Sequence, residues 1–140
     1  MAAILLAPDS AAFEDRSRDL HDPVLFDEYD QAEYGGRTFD KFEGAPETLR
    51  LVLWYQVERV AGSPLEVILD SNEDKVGRIA AAQREGKVSR TYAAVARLGL
   101  ARSTALVWHT QIPELASLFP SDRRDRRDMV VRVIRQILDQ

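Results

Sequence analysis

The chain has 140 residues, 45% of them hydrophobic and 30% charged, the make-up of a compact globular domain with a real core. It has no cysteine and two histidines, His21 and His109, which excludes a disulfide framework, a thiolate nucleophile and a cysteine-ligated zinc. The net charge of −4 conceals a split: residues 1–74 hold 6 basic and 17 acidic residues, a balance of −11, while residues 75–140 hold 13 and 6, a balance of +7.

Two explanations of that split stand open. The basic half faces a polyanion, or two charged surfaces attract each other within one fold. No run of residues approaches the roughly 20 apolar positions that cross a bilayer, so no membrane partner is expected. The apolar run at 2–7 is short and lacks a basic leader, so it reads as a strand or tail that packs locally rather than as a signal peptide. A cytoplasmic protein is the expectation.

Residues 1–45 read as an acidic N-terminal arm or subdomain. Asp9 or Ser10 caps a short helix that carries Phe13 and Leu20 and breaks at His21-Asp22-Pro23. Gly35-Gly36 marks a turn. Two arrangements fit: a hairpin pairing residues 29–34 with 37–42, or an extended arm that docks through Phe26, Tyr29, Tyr34, Phe39 and Phe42.

From residue 46 to 140 the pattern is that of a helical domain. Pro46 and Glu47 suit a first helical turn. Leu49, Val52, Leu53, Val57 and Val60 then recur at helical spacing, widened by Leu51, Trp54 and Tyr55, until Gly62 stops the run. Ser63-Pro64-Leu65-Glu66 matches a capping box, followed by a short helix or strand over 65–69 and a break at Asp70-Ser71-Asn72. A helix over 73–85 carries Val76, Ile79, Ala80 and Gln83 and closes at Gly86. Pro113-Glu114 opens a short helix that Pro120 ends. Ser121 or Asp122 caps the last helix, whose stripe is Met129, Val130, Val133, Ile134, Ile137 and Leu138. The fold expected is mainly α, a helical bundle.

The stretch over 91–109 is the most specific. Leu98-Gly99-Leu100 forms a turn signal between Thr91-Tyr92-Ala93-Ala94-Val95 and Ser103-Thr104-Ala105-Leu106, with Trp108 as an inner anchor. This stretch resembles the helix-turn-helix of bacterial regulators, transposases and phage small-terminase subunits. The resemblance implies a positive φ at Gly99, a second helix in the major groove and double-stranded DNA as partner. Carried over to this chain, it places Arg102, Ser103, Thr104, Leu106, Val107 and Thr110 toward the groove. Lys87, Ser89, Arg90 and Thr91, with Arg97 as a further candidate, would then lie near phosphates. Val95 and Ala105 depart from the usual alanine and β-branched residue. Leu106 and Val107 are apolar where polar base readers are usual, so a protein interface is the alternative for that face.

Arg123 and Arg124 open the run Asp122-Arg-Arg-Asp-Arg-Arg-Asp128. The run fits phosphate contact, or a self-paired solvated face through Asp122–Arg126 and Arg124–Asp128. Met129, Val133 and Ile137 are candidates for a homodimer seam. A glycine-rich phosphate loop, zinc spacing and a serine elbow are all missing from the sequence. No cofactor, no metal and no catalytic residue is expected, and His21 beside Asp22 reads as inert. The function expected is a non-enzymatic nucleic-acid-binding regulator. The alternative is an interaction module, such as an antitoxin, immunity factor, inhibitor or assembly adaptor, whose acidic half binds a basic partner.

Overall fold

In the computed structural model the described residues are 24–59 and 66–140, and every regular element among them is an α-helix. The expectations for the tail, the first short helix, the His21-Asp22-Pro23 break, the Gly62 stop and the capping serine Ser63 lie outside those residues. Helix α1 (Gln31–Gly44) is capped by Asp30, whose carboxylate accepts from the Glu33 N–H at 3.0 Å and so satisfies a donor that the helix itself cannot. Its buried side runs through Gln31, Tyr34, Gly35, Thr38, Phe39 and Phe42, a helical spacing of three and four. Helix α2 (Pro46–Arg59) follows after a single intervening residue. Helix α3 (Glu66–Arg84) leads to Gly86, whose φ of +75° fits a glycine stop. Then come α4 (Ala94–Ala105), the one-turn α5 (Pro113–Ala116) and α6 (Arg123–Leu138). Asp122 caps α6, accepting from the Arg124 N–H at 2.8 Å.

The centre of the fold is α1, packed on α6 and α4, with α3 against the other side of α4. Phe39, Ile79, Leu98, Ala101, Val130, Ile134 and Leu138 form the interior, and Phe26 meets Tyr34 edge to face at 5.0 Å. Each large apolar side chain sealed there contributes about 1.5–3 kcal/mol.

Neither the hairpin nor the extended arm that the sequence left open around Gly35-Gly36 is formed. Both glycines sit inside α1, and their service is close approach rather than a turn. A Cβ on Gly35 would come to 2.2 Å from the Ile134 Cδ1, and one on Gly36 to 2.8 Å from the Val131 Cγ2. The missing side chains let α6 lie directly on α1, which offsets the roughly 1 kcal/mol that glycine costs inside a helix. The residues assigned to an arm therefore include the central helix of the bundle.

Three further expectations are corrected. Asp70-Ser71-Asn72 does not break α3, because the Ser71 and Asn72 side chains find partners instead of competing for its backbone. Ser71 accepts from the Lys75 ammonium at 2.9 Å, and Asn72 accepts from Arg102 at 2.7 Å. In α2, Leu51 is buried but Val57 is 77% exposed; α2 packs chiefly on α1, so a narrower stripe is covered than the pattern offered. The helix-turn-helix at 91–109 is absent as a local structure. Helix α4 runs unbroken through Gly99, which lacks a positive φ, and residues 106–109 form turns where the second helix was expected. Arg97, Leu98 and Ala101 are locked in the interior on either side of Gly99, so the helix continues past it.

Alanine substitutions at the two glycines separate these roles. Gly35→Ala is expected to lower the unfolding free energy by about 1–2 kcal/mol, overpacking outweighing the gain in helix propensity. Gly99→Ala, at an exposed helical site with nothing within 4 Å of its Cβ, is expected to raise it by up to about 1 kcal/mol. Urea titrations of both variants measure the two signs; a positive-φ turn at Gly99 would make the second substitution destabilising instead.

Candidate ligand-binding site

A cavity of about 250 Å³ opens where α1, α2, α3 and the end of α4 converge. Its apolar wall is made by Val24, Phe42, Val52, Ile68 and Leu106. Its polar groups come from Tyr34 and Thr38 on α1, Tyr55 and Gln56 on α2, and Asn72 on α3. Three cations complete the lining: Lys41 from α1, Lys75 from α3 and Arg102 from the last turn of α4. Each helix contributes residues at one-turn spacing, so the site exists only once the helices have docked.

The charges elsewhere are arranged as a seam between α1 and α6. Arg127 donates to Asp40 at 2.8 Å and to Glu33 at 2.9 Å, and Arg123 reaches Asp40 at 3.5 Å. Arg126 pairs with Glu43, whose other oxygen lies 3.7 Å from the His109 Nε2. Burial pushes the Glu43 pKa up, but the hydrogen bond and charge of Arg126, aided by His109, outweigh it and hold the carboxyl below its ordinary value of 4.5. The seam leaves no need for the self-paired face expected of the Asp122–Asp128 run.

The residues expected at phosphates do not gather on one face. Arg90 caps the end of α3, donating to the Gln83 carbonyl at 2.9 Å, a favourable place for a cation. Ser89 and Thr91 both donate to the Gln140 carbonyl at 3.1 Å, beyond the C-terminal end of α6. Lys87 lies 3.3 Å from Glu85 and over the Tyr29 ring. Arg123 and the exposed Arg124 stand at the opposite end of α6, about 24 Å away by helix length. Arg97 is 2% exposed and out of reach of any phosphate.

Of the groove-facing set, Ser103 and Thr110 are exposed, and Thr110 bonds back to the Leu106 carbonyl at 3.1 Å. Thr104 and Val107 are half-buried, while Arg102 and Leu106 turn into the cavity. Trp108 is an anchor, as expected, but of the turn after α4: its indole N–H donates to the Arg126 carbonyl at 2.9 Å and its ring meets Phe119 edge to face. Sequence reasoning missed the cavity itself. Lys41, Lys75 and Asn72 carry no motif, and nothing short of the helix packing brings them together.

Residues 30–136, well over half of the chain, match the family described as tetracyclin repressor-like, C-terminal domain. The chain belongs to that family. As a tetracyclin repressor-like domain it falls in a class of all-α helix-turn-helix transcription regulators, so the regulator class expected from the sequence holds at the level of the family, although residues 91–109 do not supply the motif. A crystal structure of a Streptomyces coelicolor protein described as a transcriptional regulator shares the fold with a TM-score of 0.77 at 23% identity, covering 92% of this chain and 71% of that one. No curated protein matches the chain.

The Glu43 pair makes the stability of this tetracyclin repressor-like domain dependent on pH. A carboxyl whose folded pKa is depressed adds stability above its unfolded value, near 4.5, and that contribution is lost as pH falls through the lower folded value. Glu43→Gln is expected to unfold more easily than the parent at pH 7, and the gap should close as the pH drops below the folded pKa of Glu43. Chemical denaturation of both proteins from pH 7 to pH 3 reads the difference.

Proposed function

We propose that residues 24–140 are the effector-sensing part of a DNA-binding transcriptional regulator. The observation that carries this reading is the cavity between α1, α2, α3 and α4, lined by apolar side chains and furnished with a few convergent polar groups, the usual character of a small-molecule site. On this reading the domain is non-catalytic and works in the cytoplasm, where its DNA is. Base recognition falls to a segment other than residues 91–109. Arg102 and Leu106 serve the ligand rather than a groove, and Lys87, Ser89, Arg90 and Thr91 hold the loop between α3 and α4. Three of the thirteen basic residues of the C-terminal half, Arg123, Arg126 and Arg127, are met by carboxylates of α1, which supports reading that part of the charge split as internal to the fold.

A small-molecule screen by thermal shift tests the sensing role. A compound that binds the cavity at 100 times its Kd should stabilise the parent by about 2.7 kcal/mol and leave Leu106→Trp, which fills the cavity, unmoved. A library in which no compound discriminates between the two proteins would remove the proposal.

The second face of α6 favours a homodimer. Val130, Ile134 and Leu138 point inward, whereas Met129 and Val133 are half-buried and Ile137 is 37% exposed. We assign that outer stripe to a second copy of the chain, in keeping with the dimeric habit of this regulator class. Val133→Arg is expected to convert a dimer to a monomer in size-exclusion chromatography with light scattering. An unchanged mass for this variant would place the seam elsewhere.

A further inference from the structure

Arg102 stands apart from the other arginines of the interior. Arg97 meets Asp139, Arg126 meets Glu43, and Arg127 meets both Asp40 and Glu33. Arg102 is half-buried at the cavity wall, and its hydrogen bond among the described residues goes to a neutral acceptor, the Asn72 amide oxygen at 2.7 Å. Lys41 and the buried Lys75 line the same space, each held by an interaction of its own. A cation withdrawn from water is costly unless an opposite charge or strong acceptors meet it. A guanidinium presents a planar fork that matches a carboxylate through two parallel hydrogen bonds.

The rest of the cavity limits the body of the ligand. Its 250 Å³ exceeds the roughly 150 Å³ that accommodates benzene in an apolar protein cavity. Val52, Ile68 and Leu106 offer hydrocarbon contact opposite the charged wall. A small hydrated anion such as phosphate would leave that wall unused. We propose that the cavity takes a small organic acid, its carboxylate on Arg102 and its ring or short chain against Val52, Ile68 and Leu106. This assignment rests on the sensing role proposed above and specifies the chemistry of the effector.

Matched acids and amides test it on the full chain. Isothermal titration with benzoate and hexanoate, against benzamide and hexanamide, compares charge at nearly constant shape. The acids are expected to bind at least about tenfold more tightly, the difference that a charge-assisted hydrogen bond makes. Arg102→Gln should abolish the preference and Arg102→Lys should retain part of it, with circular dichroism melts reporting that each variant folds. Equal binding of acids and amides by the parent, or acid binding untouched in folded Arg102→Gln, would overturn the organic-acid assignment while leaving a cavity that senses a neutral ligand. If neither class binds, and the screen against Leu106→Trp yields nothing, the sensing role falls with it.

Discussion

The arrangement of the helices depends on burying one charge. The Arg97 guanidinium, at the heart of the bundle, donates to the Gln31 amide oxygen of α1 and to the Leu138 carbonyl of α6, both at 2.7 Å, with the Asp139 carboxylate at 3.4 Å. A buried cation demands such a set, because leaving it unmatched costs several kcal/mol. The demand is directional, so it fixes how far α4 slides and how it rotates between α1 and α6. Five residues on, Arg102 is turned about 140° around the same helix. One arginine is thus committed to structure while the other is delivered to the cavity, and the first determines where the second points.

The glycines of α1 and the arginines of α6 act on the same interface. Gly35 and Gly36 let α6 approach until the side chains of Arg127, Val130, Val131 and Ile134 lie against the backbone of α1. At that distance Glu33, Asp40 and Glu43 fall within reach of Arg123, Arg126 and Arg127. Partly exposed pairs of this kind are each worth little. Part of the opposed charge of the two halves of the chain is therefore met within the fold, at the seam between α1 and α6.

Much of the fold was legible from local signals. Asp122 before an amphipathic stripe, Gly86 after one, and Pro46-Glu47 at a helix start are written in short spacings that the backbone obeys wherever the segment lies. The same signals misled where tertiary contact overruled them. Gly35-Gly36 and Leu98-Gly99-Leu100 both carry turn chemistry, yet each lies within a helix whose neighbours on either side are held in the core. A glycine permits a turn without requiring one. Asp70-Ser71-Asn72 failed as a break for a related reason, its polar groups having partners on α3 and α4.

The cavity had no comparable signature. Its cations come from residues 41 and 75, ordinary surface residues in sequence terms, and from Arg102, which the sequence assigned to a groove, and its walls come from five separate stretches of chain. The sequence by itself determined a mainly helical chain, most helix ends, the inner stripe of α6 and a division into an acidic and a basic half, because capping, periodicity and charge act over a few residues or over the whole composition. Tertiary structure alone decided that α1 is the centre, that carboxylates of α1 meet three arginines of α6, and that Arg102 lines the cavity between the helices. Those outcomes depend on which helix faces touch, and that is settled by packing around Gly35 and by the burial of Arg97, neither of which any local pattern announces.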